Sequence, residues 1–318
     1  MTPMLQLIRK IGIVPVIKIT DPDTAVPLAR ALNEGGIPVA EVTFRTEYAA
    51  EAIRRISKEV PDVLVGAGTV LTCQQVDQAV EAGAKFIVTP GFNPTVVDYC
   101  LDKQIPVLPG APSTSDIEKA LERGLEVVKC FPAEALGGLS YIKAVAAPYG
   151  SMMFMPTGGV NPGNINSYLS FNKILACGGS WMIDSKRIAA GDYDGIADLC
   201  REAVDTVLGL EFVHVGINGG SKDEALKMAG LLSAILHVPA RETESDAWVG
   251  GVEISGGASR GANGRLDIAC NDLERAIFHL EHRGIAFDHS SKGVDSMGRP
   301  CIYFQDQIGG FALALVQR

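Results

Sequence analysis

A single lysine interrupts an apolar stretch in the middle of the chain. In EVVKCFPAE, residues 126–134, two valines, a cysteine and a phenylalanine surround Lys129. Burying a charged amine is expensive, so one interpretation is that the aliphatic stem is buried while the ammonium reaches water. The other interpretation is chemical, because an amine among apolar neighbours loses its proton more easily than one in water, and a neutral amine is a nucleophile. The stretch alone does not separate the two.

A second set of polar residues lies in the apolar run VAEVTFR, residues 39–45. Successive side chains of a strand point to opposite faces, which places Glu41, Thr43 and Arg45 on one face and apolar side chains on the other. A carboxylate and a guanidinium on such a strand indicate one of two things. They form a structural ion pair, or they are an acid/base carboxylate beside an arginine that binds a carboxylate. Both hypotheses remain open at this point.

These residues belong to an alternating series of short apolar runs and amphipathic stretches. Eight runs, the first at residues 13–19 and the last at 174–179, are separated by segments of roughly helical length. Eight strand–helix units in sequence imply a parallel sheet, and eight is the number that closes a TIM barrel. An open doubly wound sheet is the alternative. We therefore predict an α/β fold with a (β/α)8 TIM barrel over residues 1–208.

Polar and glycine residues cluster at the predicted strand ends, where barrel active sites are built. Lys129, Arg45 and Thr69 all come near such ends. Glycine pairs follow the seventh and eighth strands, in PTGG at 156–159 and CGGS at 177–180, which are the loops that commonly hold a phosphate in this fold. Glycine lets backbone N–H groups approach an anion closely, although tight turns favour it as well. We predict a phosphate site in these two loops.

The sequence changes character after residue 208. Residues 209–318 contain two similar halves, each a strand followed by a helix and then further strands. The second half begins its helix with an N-cap pattern at Asn271–Asp272. This weak repeat predicts one small α+β domain after the barrel.

Composition argues against several classes of protein. The 318 residues carry 28 lysines and arginines against 37 aspartates and glutamates, a formal charge of −9, which disfavours a nucleic-acid surface. No apolar run reaches the roughly 18 residues of a membrane span, and the N-terminus lacks a signal-peptide layout. The seven cysteines are scattered and never form a CxxC pair, which predicts reduced thiols in the cytoplasm and disfavours a zinc site.

The ordered motifs of the barrel half resemble one family. PVIKI, GGIPVAEVTFRT, VGAGTVL, AGAKFIVTPGF, IPVLPGA, VVKCFPAEALGG, FMPTGGV and CGGSWM occur as they do in the 2-keto-3-deoxy-6-phosphogluconate/4-hydroxy-2-oxoglutarate aldolases, which are class I enzymes. The resemblance implies that Lys129 forms a Schiff base and that Glu41 transfers protons. It implies that Arg45 and Thr69 bind the pyruvate carboxylate and that Pro90 lines the pocket. The phosphate site that it implies contains Thr157, Gly158, Gly159, Gly179 and Ser180.

Two positions depart from the family pattern, and a third has an open role. An aromatic residue usually follows the Schiff-base lysine in the family, whereas this chain has Cys130, which faces away from the predicted pocket and should affect packing more than chemistry. The loop after the fifth strand reads PGAPSTSD, a variant that bears on how the far end of the substrate is held. Lys18, after PVI, either reaches an anion or is simply solvated.

Residues 209–318 resemble the glyoxalase/dioxygenase (vicinal oxygen chelate) superfamily, whose unit is a βαβββ module used in pairs. Members often bind a metal through the first strand and a carboxylate on the last strand of each module. The matching positions are His214 and Glu253, then Asp267 and Ala314. Because alanine cannot be a ligand, we expect no tight catalytic metal and instead a module for small-ligand binding or oligomer contacts. A weak metal site is the alternative.

The resemblance implies an enzyme that cleaves 2-keto-3-deoxy-6-phosphogluconate to pyruvate and glyceraldehyde 3-phosphate, without metal or other cofactor. Cleavage of 4-hydroxy-2-oxoglutarate to pyruvate and glyoxylate is the nearest alternative. A barrel isomerase and a small-ligand sensor on an inactive barrel are further alternatives, which the set of Lys129, Glu41 and Arg45 disfavours. The family is commonly trimeric, so we expect a cytoplasmic homotrimer whose partner is a small keto acid, with neither nucleic acid nor membrane.

Overall fold

Two structural units follow each other along the chain, Met1–Val207 and Leu208–Arg318, in a computed structural model that describes residues 1–257, 260–295 and 297–318. The division lies one residue from the boundary at which the sequence changes character. Within the described residues, no helix is both long enough and apolar enough to cross a membrane.

The first unit has one short strand in each of the eight predicted apolar runs. These strands are β1 (Ile13–Ile17), β2 (Val39–Thr43), β3 (Leu64–Gly68), β4 (Ile87–Val88), β5 (Val107–Leu108), β6 (Val127–Cys130), β7 (Met153–Pro156) and β8 (Cys177–Gly179). Six of them form a parallel sheet in the order β5-β4-β3-β2-β1-β8, and β6 pairs in parallel with β7. Single parallel bridges join Gly110 to Lys129 and Thr157 to Gly178. The strands therefore form a half-barrel of six parallel strands and a separate pair, β6 and β7, with single bridges at the ends of both groups.

Helices alternate with these strands. They are α1 (Pro3–Ile11), α2 (Ala25–Glu34), α3 (Ala49–Glu59), α4 (Cys73–Glu81), α5 (Pro94–Asp102), α6 (Thr114–Glu122), α7 (Gly138–Ala146), α8 (Ile165–Leu169), α9 (Ser185–Ala190) and α10 (Tyr193–Leu208). Side-chain oxygens of Thr72, Asn93 and Ser113 accept hydrogen bonds from first-turn N–H groups of α4, α5 and α6. These caps satisfy donors that a helix cannot pair internally, and so fix where each helix begins.

The interior of the first unit is apolar except at a few polar positions. Strand β2 is buried along its whole length, as expected for a parallel strand that is covered on both faces. The buried polar side chains are Glu41, Thr43, Thr89, Lys129 and Thr157. All five lie in or directly after strands β2, β4, β6 and β7. Three of them, Glu41, Lys129 and Thr157, are residues that the sequence marks as candidates for chemistry.

The second unit repeats one arrangement of elements. Its first half contains β9 (Glu211–Asn218), α11 (Lys222–Leu236), β10 (Arg241–Glu242), β11 (Asp246–Val249) and β12 (Val252–Ser255). Its second half contains β13 (Gly264–Cys270), α12 (Leu273–His282), β14 (Phe287–Val294), β15 (Pro300–Ile308) and β16 (Phe311–Gln317). The strands form one sheet in the order β10-β11-β12-β9-β13-β16-β15-β14, so each half places its last strand beside its first.

Local interactions explain how the helices of the second unit are held. Ala225 and Ala229 of α11 pack against Ala247, Val249 and Ile254 of the sheet. The start of α12 agrees with the N-cap pattern in the sequence, because the carboxylate of Asp272 accepts a hydrogen bond from a first-turn N–H group.

Candidate active site

Lys129 and Glu41 form a buried ion pair in the first unit. Nζ of Lys129 lies 2.9 Å from Oε1 of Glu41, and the two side chains are 6% and 0% exposed. The other carboxylate oxygen, Oε2, is buried and has no hydrogen-bond partner among the described residues. Because an unsatisfied buried oxygen is costly, Oε2 is poised to receive a proton or to accept a hydrogen bond from a bound molecule.

The neighbouring strands leave room for the Glu41 carboxylate. Strand β2 lies between β1 and β3, with Glu41 in register with Val16 on one side and Gly66 on the other. A Cβ atom at Gly68 would lie only 2.2 Å from Oε1 of Glu41. Glycine is therefore required at the end of β3 because any side chain there would collide with the Glu41 carboxylate. This reason is independent of turn geometry.

The backbone of β6 holds Lys129 in its apolar setting. The N–H group of Lys129 donates to the carbonyl of Pro109 at 2.8 Å, and its carbonyl accepts from the N–H group of Ala111 at 2.9 Å. Cys130 is buried beside it, and burial raises the pKa of its thiol to about 11. A thiol with that pKa is protonated at neutral pH, so Cys130 does not compete with the lysine as a nucleophile.

Most of the predicted anion-binding residues line one pocket of about 470 Å³. Lys18 also lines this pocket, which favours the anion-binding interpretation of that residue over a solvated lysine. The ring of Phe131 forms part of the wall, and its centroid lies 5.8 Å from Nζ of Lys129. The predicted residues in the lining are Arg45, Thr157, Gly158, Gly159, Gly179 and Ser180.

The loop after β7 is held against the loop after β6. Gly158 and Gly159 have φ angles of +94° and +87°, in the region that favours glycine. The N–H group of Glu134 donates to the carbonyl of Gly158 at 3.1 Å, and a Cβ at Gly159 would lie 2.4 Å from Cγ of Glu134. The hydroxyl of Tyr168 donates to the Glu134 carboxylate, and burial together with that carboxylate raises the pKa of Tyr168. Glu134 and Tyr168 thus fix the glycine loop relative to the strand of Lys129.

Thr157 presents an unused hydroxyl in the pocket lining. Its backbone donates to the carbonyl of Cys130 at 2.9 Å and accepts from Ala133 at 2.8 Å, which fixes the residue between the two loops. Its Oγ1 atom is buried without a hydrogen-bond partner among the described residues. A Cβ at Gly178 would lie 2.3 Å from this oxygen. The hydroxyl is therefore available to a ligand, and glycine on β8 makes space for it.

Thr43 is a positioning residue to which sequence reasoning gave no role. Its hydroxyl donates to the carbonyl of Ile17 at 2.8 Å and accepts from Nε of Arg45 at 3.2 Å. This relay fixes the exposed Arg45 side chain beside the end of β1. The signal was present in the sequence, because strand alternation places Thr43 on the same face as Glu41 and Arg45.

Thr69 and Pro90 do not line that pocket. Thr69 follows Gly68 and has a φ angle of +55°, a conformation that is uncommon outside glycine and often found at functional sites. The carbonyl oxygen of Pro90 would lie 2.1 Å from a Cβ at Gly110, and Gly110 bridges to Lys129. Thr69 is thus the neighbour in sequence of Gly68, which adjoins the Glu41 carboxylate, and the Pro90 carbonyl lies against Gly110, which bridges to Lys129.

Known proteins share this arrangement of motifs. The family model described as "KDPG and KHG aldolase" matches residues 4–199, more than half of the chain. The chain belongs to this family. A 2-dehydro-3-deoxy-phosphogluconate aldolase of Treponema pallidum is 48% identical over 207 residues, covering 65% of this chain and 99% of that protein.

Solved structures of KDPG aldolases match the same part of the chain. The enzyme of Zymomonas mobilis ZM4, determined with 3-phosphoglycerate, is 40% identical with a TM-score of 0.59, covering 63% of this chain and 94% of that one. The enzyme of Legionella pneumophila, with pyruvate captured as a covalent carbinolamine, is 36% identical with a TM-score of 0.61, covering 63% and 97%. The aldolase family resemblance seen in the motifs is therefore confirmed.

In the second unit, His214 contacts two of the other three residues at the predicted metal positions. Nδ1 of His214 lies 2.8 Å from Oδ2 of Asp267, and Nε2 of His214 lies 3.5 Å from Oε2 of Glu253. Ala314 is the register partner of Asp267 on the adjacent strand and contributes no polar atom. The ring of Trp248 stacks on the imidazole with the centroids 4.8 Å apart.

A cation that the sequence analysis missed lies between these carboxylates. The guanidinium of Arg265 is 3.1 Å from Glu253 and 3.4 Å from Asp267. Burial raises the pKa of Glu253, and the nearby Arg265 opposes that shift. Among the described residues, no group of three or more His, Cys, Asp or Glu side chains is arranged to hold a metal ion. One guanidinium therefore forms ion pairs with two carboxylates, and alternation along β13 was the signal that put Arg265 on the face of Asp267.

Proposed function

We propose that this protein is a class I aldolase that cleaves 2-keto-3-deoxy-6-phosphogluconate reversibly to pyruvate and glyceraldehyde 3-phosphate. The observation that carries the proposal is the buried pair of Lys129 and Glu41 beside a pocket lined by two glycine loops. The name of the Treponema relative and the titles of the Zymomonas and Legionella structures support the same substrate.

Lys129 supplies the covalent step. Its neutral amine adds to the C2 carbonyl of the substrate, and the resulting carbinolamine loses water to give a protonated imine. The C3–C4 bond then breaks, and its electron pair moves toward the imine nitrogen to form an enamine. The C4 hydroxyl loses its proton and becomes the aldehyde of the first product. Protonation of the enamine at C3 and hydrolysis of the imine release pyruvate and regenerate the amine.

Glu41 moves the protons that this sequence requires. Its Oε1 lies within hydrogen-bonding distance of Nζ, so the carboxylate accepts a proton from the ammonium and generates the nucleophile. The Oε2 atom, which has no partner among the described residues, serves the later transfers. It gives a proton to the hydroxyl that leaves the carbinolamine as water, and it takes a proton from the C4 hydroxyl. Both transfers involve one carboxyl group, and the chain provides the nucleophile and the proton carrier, while water hydrolyses the imine.

The substrate has two anionic groups, a carboxylate and a phosphate, and each is assigned to its own set of candidate residues. We assign the pyruvate carboxylate to Arg45 and Thr69 and the pocket wall to Pro90. The phosphate is assigned to backbone N–H groups of the glycine loops, where local positive φ angles turn amide groups toward an anion. Because Arg45 and Lys18 line the same pocket as those loops, the phosphate is an alternative ligand for each of these two side chains. The phosphate site comprises Thr157, Gly158, Gly159, Gly179 and Ser180.

The remaining architecture is proposed from the same resemblance. We infer that the bridges at Gly110 and Thr157 close the eight strands into a (β/α)8 barrel. This barrel is domain 1–208. We also propose that the protein is a homotrimer. Lys129 is then at the carboxyl end of the sixth strand, on the catalytic face of the barrel. Domain 209–318 is a pair of βαβββ modules that serves as a binding or oligomer-contact module without a catalytic metal.

One assay tests the function directly. Pyruvate release is measured with 2-keto-3-deoxy-6-phosphogluconate and with 4-hydroxy-2-oxoglutarate side by side, using the full chain. The proposal expects cleavage of the phosphorylated substrate, and cleavage of the second compound establishes the additional activity that is the nearest alternative. A folded protein that releases pyruvate from neither substrate would support the small-ligand sensor instead.

A further inference from the structure

The loop after β7 has its first two carbonyl groups tied to the segment that follows β6. The carbonyl group of Thr157 accepts a hydrogen bond from the N–H group of Ala133 at 2.8 Å. The carbonyl group of Gly158 accepts one from the N–H group of Glu134 at 3.1 Å. In a trans peptide the C=O and N–H groups point in opposite directions, so the N–H groups of Gly158 and Gly159 point away from that segment.

Two asparagine side chains hold the third carbonyl group of this loop. Nδ2 of Asn161 and Nδ2 of Asn164 both donate to the carbonyl of Gly159, at 3.0 and 3.1 Å. Oδ1 of Asn164 also accepts a hydrogen bond from the N–H group of Asn161 at 2.9 Å. The Asn164 amide therefore spans Val160, since it binds the carbonyl group before that residue and the N–H group after it. By the same peptide geometry, the N–H group of Val160 points away from the two amides.

Three backbone donors result that the chain itself does not use. Within residues 1–257, 260–295 and 297–318, no hydrogen bond is donated by the N–H groups of Gly158, Gly159 or Val160. All three residues line the pocket of about 470 Å³. Thr157, at the start of the loop, is 5% exposed and adds the unused hydroxyl described above. Successive N–H groups of this kind form a concavity that binds an anion.

A glycine-rich loop requires a restraint to keep its donors in place. Gly158 and Gly159 have positive φ angles here, but glycine permits many other backbone conformations. Rotation of the peptide between Gly159 and Val160 would withdraw one donor and turn a carbonyl oxygen toward the pocket, where it would repel an anion. The amides of Asn161 and Asn164 oppose this rotation because they bind that oxygen.

We propose that Asn164 is a positioning residue for phosphate recognition, and that Val160 supplies a third backbone donor beside Gly158 and Gly159. This inference rests on the proposed function, because it concerns the phosphate group of the same substrate. Asn164 acts through the orientation of the peptide between Gly159 and Val160 and not by touching the ligand. Asn161 supports the same peptide with a single hydrogen bond.

The helix that follows gives Asn164 no competing use for its side chain. Asn164 directly precedes α8, at a position where an asparagine side chain usually accepts a hydrogen bond from the first turn. No such capping hydrogen bond is made by Asn164. Both polar atoms of its amide are bound instead to the backbone on either side of Val160. The side chain therefore serves the loop that lines the pocket.

Steady-state kinetics of the full chain test the inference. Asn164→Ala should raise KM for 2-keto-3-deoxy-6-phosphogluconate roughly tenfold with little change in kcat, because hydrogen bonds to a charged group are comparatively strong. KM for 4-hydroxy-2-oxoglutarate, which has no phosphate, should change much less. The matched control is Asn166→Ala in α8, which removes a hydrogen bond from another half-buried amide to the carbonyl of Thr206. It should lower the melting temperature and leave both KM values unchanged.

A double variant tests whether the two amides act on one carbonyl group. Asn161→Ala alone should raise KM for the phosphorylated substrate less than Asn164→Ala does. Together, the two replacements should raise it by more than the product of the single effects, because the carbonyl of Gly159 then loses its last donor. An unchanged KM in Asn164→Ala, or equal losses on both substrates, would overturn the positioning role.

Binding of inorganic phosphate separates this inference from the proposed function. A titration followed by phosphorus NMR gives the dissociation constant of inorganic phosphate for the full chain, whether or not the chain turns over a substrate. Asn164→Ala should bind phosphate roughly tenfold more weakly than the wild type, and Asn166→Ala should bind it equally well. This difference in a wild type that cleaves neither substrate would refute the proposed function and support the positioning role. Equal affinities of wild type and Asn164→Ala, or a wild type that binds no phosphate, would refute the positioning role.

Discussion

Nζ of Lys129 donates a hydrogen bond to Oε1 of Glu41 at 2.9 Å, although 88 positions separate the two residues in the chain. Strands β6 and β2 are not neighbours in the described sheets, so the pair reaches across the interior of the first unit. Removing one member of a buried pair leaves the other charge without compensation, which is strongly unfavourable. A pair that serves only stability would be dispensable for chemistry, whereas a catalytic pair would not.

Replacement Glu41→Gln tests proton transfer. The amide keeps the shape and a hydrogen-bond acceptor for Nζ but cannot take up a proton, so kcat should fall by about 10²–10⁴. The matched control is Glu51→Gln, a carboxylate that pairs with arginines on the exposed face of α3, and its activity should equal that of the wild type. Steady-state kinetics with a coupled pyruvate assay provide the measurement. Near-normal kcat in Glu41→Gln would mean that the carboxylate is structural.

Replacement Gly68→Ala tests whether the position of the carboxylate matters. The new methyl group would overlap Oε1 of Glu41 and displace it, and misplacing a reacting group by about 1 Å can cost about 100-fold in rate. Gly150→Ala is the control, because a Cβ at Gly150 meets nothing within 4 Å. The rate constant for pyruvate formation and the melting temperature should be measured together. A Gly68→Ala enzyme that folds and retains full activity would contradict the assigned geometry.

Replacement Ser180→Asp tests the phosphate site. A carboxylate in the pocket lining repels the phosphate in both the ground state and the transition state, so KM for the phosphorylated substrate should rise with little change in kcat. A rise of roughly tenfold or more is expected, because each 1.4 kcal/mol of lost binding is a factor of ten. Cleavage of 4-hydroxy-2-oxoglutarate should suffer less, and the exposed Ser170→Asp should affect neither. Equal losses on both substrates would assign another role to the loop.

Metal removal tests the second unit. Arg265 already forms ion pairs with both carboxylates beside His214, and the proposed aldolase chemistry uses only side chains, so the aldolase rate should be the same before and after EDTA. Elemental analysis of the purified protein should find no stoichiometric metal. Near one equivalent of iron, manganese or zinc per chain, lost together with His214→Ala, would make the second unit a metal site after all.

Sequence reasoning predicted well where a property is local. Each apolar run contains a strand because short Val- and Ile-rich segments between helix caps have few alternatives. Strand alternation put Glu41 and Lys129 on inward faces, since the period of a strand is two. The family resemblance rested on many motifs in order, so it survived the departure at Cys130.

Other features depend on register and side-chain length, which no local pattern contains. The contact of Gly68 with Glu41 requires the alignment of β2 with β3. The insertion of Arg265 between Glu253 and Asp267 requires three strands to be ordered as β12-β9-β13. The close approach of the Pro90 carbonyl to Gly110 requires the ends of β4 and β5 to be aligned.

Covalent trapping tests the central claim most directly. The full chain is incubated with pyruvate and sodium borohydride, which reduces an imine to a stable secondary amine, and its peptides are then analysed by mass spectrometry. The account predicts one modified peptide, with the added mass on Lys129, and no labelling of Lys129→Ala. Modification of a different lysine, or pyruvate release that survives Lys129→Ala, would contradict it.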